Sequence, residues 1–176
     1  MVTNTRQVES LSRAYSAFAS VAAAALATDI AILPGSATTT VYVTRIFISG
    51  VQTTAGNVEI VLAKRSTANT GGTSAAMTAV PHCSGDAAAV AAPLSYTANP
   101  TTGSLVGNLR RFYIPVGPAA TSIANSFTVI DLGFNAKPVC LMGVAEGLAI
   151  NLNGVTVTGG TFDVGFEWRE ETWSPA

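Results

Sequence analysis

Charge is scarce in this 176-residue chain: Asp, Glu, Lys and Arg make up 11% of it, where soluble domains ordinarily carry about a quarter. Nine Lys plus Arg against ten Asp plus Glu leave a formal net charge of -1. There is no cationic field for a phosphate backbone or anionic lipid, so nucleic acid is not expected as a direct partner. Histidine occurs once, as His82, and cysteine twice, as Cys83 and Cys140. No second His or Cys pair stands at ligand spacing, so no metal and no cofactor is expected, and a disulfide framework is excluded. The two thiols are read as isolated.

Long apolar runs are also missing. The stretch Ala14 to Ala27, AYSAFASVAAAALA, imitates a signal peptide, but its apolar part is mostly Ala and Ser and Glu9 precedes it, so it is read as part of the mature chain. It is shorter than the roughly 18 residues a membrane-spanning helix needs. The uncharged stretch from Ala87 to Leu109 is broken by Pro93, Asn99, Pro100, Gly103 and Gly107, and no membrane span is expected.

Catalytic signatures are missing too: no Gly-x-Ser-x-Gly elbow, phosphate loop, dinucleotide fingerprint or His-Glu-x-x-His is present. A nucleophile triad would have to use His82 as its base beside Cys83, and sequence neighbours do not usually aim their side chains at each other. Asp163 and Glu167 fall on one strand face about 13 Å apart at about 3.3 Å per residue, beyond the roughly 5 to 9.5 Å of glycosidase carboxylate pairs. Glu170 and Glu171, at the end of the same strand beside Arg169, read as solvated charges that keep an edge soluble. The chain is expected not to be an enzyme.

What is present is apolar: 48% of residues are hydrophobic and mean hydropathy is +0.41, which excludes intrinsic disorder. Phe162, Val164, Phe166 and Trp168 alternate with polar residues at period two, a strand with one wet face. Val41, Val43, Arg45 and Phe47 share one face of a β-branched run that reads as a central strand, with Tyr42, Thr44, Ile46 and Ile48 on the other. A second run, Val58 to Arg65, follows a link containing Gly56, and the two predict a hairpin. Ser66 to Gly85 is a long loop rich in Ser, Thr, Gly and Ala. Further strands are predicted at Thr28 to Leu33, Val90 to Thr97, Leu105 to Val116, Ser126 to Phe134, Val139 to Ala145, Leu148 to Leu152 and Val155 to Thr158. Frequent turn signals, with a helix candidate only at Ser12 to Leu26 on alanine propensity, predict an all-β sandwich.

The basic pairs Lys64-Arg65 and Arg110-Arg111 read as edge-strand charges, or as contacts for an acidic partner surface. Phe112, Tyr113, Phe127, Phe134, Phe162, Phe166 and Trp168 occupy strand positions and read as core. Trp173 follows the last strand in a short polar tail and reads as an anchor to a neighbouring subunit.

Three phrases in this order, KRSTANTGGTS, YTANPTTG and EGLAINLNG, with the flanking sequence from about Val41 to Glu171, resemble a group of virion structural proteins of tailed bacteriophages and prophages. The resemblance implies a jelly-roll-like antiparallel β-sandwich over residues 28-176, an extended N-terminal arm over 1-27, and a capsid decoration or cement role in the virion. The implied partners are the major capsid protein and further copies of the chain, as a homotrimer. Contact residues on this reading are Tyr15, Phe18, Arg110, Arg111 and Trp173. Low charge and abundant Ala, Thr and Ser fit a surface covered by other subunits. The alternatives are a tail, neck or fibre component, or a module binding host carbohydrate through loops such as Thr67 to Ser74.

Overall fold

A computed structural model describes residues 12–23, 25–118, 127–133 and 138–172. Among them the chain forms twelve β-strands: β1 (Arg13–Ala22), β2 (Asp29–Pro34), β3 (Thr39–Val51), β4 (Gly56–Arg65), β5 (Thr73–Ala76), β6 (Val80–Pro81), β7 (Leu94–Ala98), β8 (Leu105–Val116), β9 (Thr128–Asp131), β10 (Val139–Leu141), β11 (Gly147–Asn151) and β12 (Thr161–Thr172). They make two antiparallel sheets of a β-sandwich. Sheet A runs β10-β3-β12-β1-β6, with β9 also on β3, and sheet B runs β5-β7-β2-β11-β4-β8. The all-β expectation holds.

The first four strands alternate between the sheets, β1 and β3 in A and β2 and β4 in B. The hairpin expected from Val41 to Arg65 therefore does not form. The link after β3 carries the chain across the sandwich, and β3 pairs instead with β12, which comes from the far end of the order. The expected loop from Ser66 to Gly85 contains the short strands β5 and β6, and no strand forms at Val155 to Thr158.

Neither a helix nor an arm forms over residues 13–22. They are β1, paired with β12 along the whole of their length and with β6 on the other side. Its inward positions Tyr15, Ala17 and Val21 are buried, while Arg13, Phe18, Ser20 and Ala22 are exposed. Period-two alternation joined to a pairing partner outweighs the helix propensity of alanine. Residues 1–11 of the expected arm lie outside the described residues.

The core holds Trp168, Tyr15, Phe162 and Phe166 as its largest fully buried side chains. Tyr15 stacks on Trp168 at 5.7 Å between ring centroids, and its hydroxyl donates to Ala87 O at 2.9 Å. Burial, with Glu170 adding to it, pushes this hydroxyl above the ordinary tyrosine range. Tyr15 is thus a core residue, and the expectation that it contacts a neighbour is corrected.

Glu170 is also corrected. β12 lies between β3 and β1 and has no free edge, and Glu170 falls on its inward face in line with Trp168. Its carboxylate accepts Val90 N at 2.9 Å, Ala91 N at 2.8 Å and Trp168 Nε1 at 3.0 Å, fastening the segment before β7 to the end of sheet A. Substituting Glu170→Ala leaves these three donors without their acceptor. It is expected to lower unfolding stability by about 2–3 kcal/mol, measured as a fall in the urea midpoint. A loss under about 0.5 kcal/mol, the range of ordinary surface changes, would show the clamp to be dispensable.

Candidate functional site

Two surfaces carry more apolar or polar chemistry than the sandwich needs for itself. One is the edge of sheet B. β8 pairs with β4 on one side and, among the described residues, with nothing on the other. Its inward Ile114 and Val116 enter the core, whereas Leu105, Val106 and Tyr113 are 53%, 60% and 65% exposed. Arg111 stands opposite Val61 and forms an ion pair with the largely buried Glu59, which also accepts Asn153 Nδ2 at 2.9 Å. Arg110 is exposed and donates to Leu109 O on its own strand at 2.9 Å. Both expected contact residues are exposed, Arg111 while paired with Glu59. Lys64 and Arg65 are engaged within the chain: half-buried Lys64 donates to Cys140 O at 3.1 Å and buried Arg65 pairs with Asp29.

The other surface is the outer face of sheet A. A row of registered positions crosses it: Phe18 on β1, Gly165 on β12, Phe47 on β3 and Val129 on β9. A side chain at Gly165 would meet the Phe18 ring, so the glycine lets that ring lie over β12 toward Phe47. Phe18 and Phe47 are 5.3 Å apart between centroids, and Phe47 and Phe127 5.7 Å. Phe18 is 55% and Phe127 63% exposed.

The adjoining row is charged. Arg45 stands between Glu167 and Asp131, at 3.4 Å and 3.5 Å respectively. It borders a cavity of about 390 Å3 that Arg169 and His82 also line. His82 is held there by its backbone N–H, which donates to Ala14 O at 2.8 Å.

A β-bulge places both rows. In the β3–β12 ladder Arg45 is opposite Glu167 and Val43 opposite Trp168, leaving Thr44 as the extra residue. Thr44 Oγ1 donates to Glu167 O at 3.1 Å. The bulge turns Val41 and Val43 into the core and Arg45 and Phe47 outward. Strict alternation puts all four on one face and carries no signal of the extra residue.

Among the remaining expected sites, Phe18 is exposed, and Trp173 and Phe134 lie outside the described residues. Phe127 is a surface residue and not core. The loop Thr67 to Ser74 is turned partly to structure: Asn69 donates to Asp29 at 2.9 Å and accepts Gly103 N at 2.8 Å. Cys83 is exposed and Cys140 half-buried, and the two do not pair. Burial pushes the Cys140 thiol up, against the opposing influence of Lys64. No group of three or more His, Cys, Asp or Glu side chains that could hold a metal ion occurs among the described residues. Comparisons of the chain with family models, with curated proteins and with solved structures find no match.

Proposed function

We propose that the chain is a structural protein of a bacteriophage virion, a jelly-roll-type decoration subunit that binds the major capsid shell and its own copies. The observation that carries an assembly role is β8: a twelve-residue edge strand, unpaired on one side among the described residues, that exposes Leu105, Val106 and Tyr113. A long edge with apolar side chains invites pairing with another chain, and solitary proteins ordinarily blunt it. Arg110 and Pro115 blunt it in part, which favours contact with a defined partner over open-ended strand addition. The low charge of the whole sequence supports the same reading, and the phrases KRSTANTGGTS, YTANPTTG and EGLAINLNG supply the phage context.

Sedimentation of the purified chain, alone and with phage heads lacking it, tests this. The expected result is a trimer that co-sediments with heads in hundreds of copies, and a Leu105→Lys, Val106→Glu variant that is folded, monomeric and unbound. A parent chain that stays monomeric and leaves heads bare would overturn the proposal. A handful of copies per particle would move it to the neck, tail or fibre.

A further inference from the structure

We infer that the outer face of sheet A binds an extended, uncharged glycan chain, with sugar rings lying along Phe18, Phe47 and Phe127 and hydroxyls engaging the Arg45 row beside them. This site is separate from the β8 edge and stands whether or not that edge is an assembly contact.

Three observations lead to it. The aromatic residues form a continuous strip, with Phe18 and Phe47 on sheet A and Phe127 just before β9, at centroid steps of 5.3 Å and 5.7 Å, each close to the length of one pyranose unit. Its two ends are more than half exposed. Sugar rings present an apolar C–H face that packs on aromatic surface, and a strip of this length matches several units better than one.

The strip is bordered by groups that suit hydroxyls. Arg45 is held between Glu167 and Asp131, so its guanidinium is pre-positioned. A guanidinium carries five N–H donors and a carboxylate about four acceptor sites. The mutual pairing of Arg45 and Glu167 thus leaves capacity for donors and acceptors alike, which is what a hydroxyl supplies.

The electrostatics select against a charged partner. The cavity is lined by two guanidiniums, Arg45 and Arg169, and two carboxylates, Asp131 and Glu167, whose formal charges cancel. A protein or peptide covering this row would desolvate ion pairs already matched to each other and gain no charge complementarity. A neutral polyol keeps them hydrogen-bonded. At about 390 Å3 the concavity has the size of a small-ligand site.

The test is an array of neutral oligosaccharides, from monosaccharides to hexasaccharides with gluco, galacto, manno and N-acetylhexosamine backbones, followed by NMR titration of the full chain with the best binder. Affinity is expected to rise at least about tenfold from the monosaccharide to the tetrasaccharide, and to be insensitive to ionic strength because the ligand is uncharged. Phe127→Ala and Arg45→Gln are each expected to weaken binding about tenfold with an unchanged melting curve, while Tyr113→Ala on β8 leaves it unaltered. The inference is overturned if no array glycan binds, if Phe127→Ala binds as well as the parent, or if a monosaccharide binds as tightly as the tetrasaccharide. Binding confined to anionic glycans and lost in salt overturns it too. Self-association abolished by Phe127→Ala would instead assign the face to a second copy of the chain.

Discussion

Asp29→Ala is expected to lower unfolding stability by about 3–5 kcal/mol, the usual cost of removing one partner from a buried ion pair. Asp29 is fully buried and Arg65 nearly so. The carboxylate accepts Arg65 Nη2 at 2.7 Å and Nε at 3.2 Å, Asn151 Nδ2 at 2.6 Å and Asn69 Nδ2 at 2.9 Å. Arg65 also donates to Gly103 O at 3.2 Å. One carboxylate thus joins β2, β4 and β11 to the segments on either side of β5 and β7. Alanine leaves the Arg65 guanidinium buried with a single carbonyl for company, and takes the acceptor from the Asn69 and Asn151 amides. The measurement is urea unfolding, with a lowered midpoint and an unchanged slope. An Asp29→Leu, Arg65→Met pair is expected to recover much of the loss, because it removes both charges from the interior. A single-variant loss below about 1 kcal/mol, the scale of an exposed pair, or a double variant worse than the single, would show that the network does not work as an ion pair.

Removal of residues 1–22 is expected to abolish cooperative folding. β1 supplies ten paired positions to β12 and two to β6, and it buries Tyr15 against Trp168. Without it β12 has an open edge, Trp168 and Phe166 lose their cover, and β6 loses the one strand it pairs with among the described residues. Burying a side chain the size of Tyr or Trp contributes several kcal/mol, so the sum exceeds the roughly 5–15 kcal/mol margin of an ordinary domain. The truncated chain is expected to show no sharp thermal transition by circular dichroism and to bind a hydrophobic dye. A detachable arm would behave oppositely, and a truncated chain that melts at the temperature of the parent would restore that reading.

Strand positions could be read from alternation wherever one face is buried. Leu105–Val116 appears with the expected bounds, and Thr161–Thr172 and Asp29–Pro34 nearly so. Such a pattern is local: each inward residue is apolar because of its own position, and no partner need be known. β1 escaped because alanine and serine fill both of its faces and only Tyr15, Phe18 and Val21 mark the alternation. Glu170 misleads for a related reason, and Asp29 carries no local sign of its role. Glu170 and Asp29 are buried because specific donors reach them, and those donors come from segments distant in sequence, Val90, Ala91, Arg65 and Asn151. A buried acid and a solvated one look alike until its partners are placed.

The candidate binding face was the least visible feature. Phe18 lies on β1, Phe47 on β3 and Phe127 just before β9, and no local pattern joins the three. The amino-acid order alone decided that this chain is all-β and that its apolar residues suffice for a packed interior. Those properties are sums over composition or runs of a few residues. Only the tertiary structure decided that β1 and β12 are neighbours, that β3 and β4 separate into opposite sheets, and that three phenylalanines meet in a strip beside Arg45. Each of these depends on register between distant strands, and one extra residue at Thr44 is enough to send a side chain to the other face.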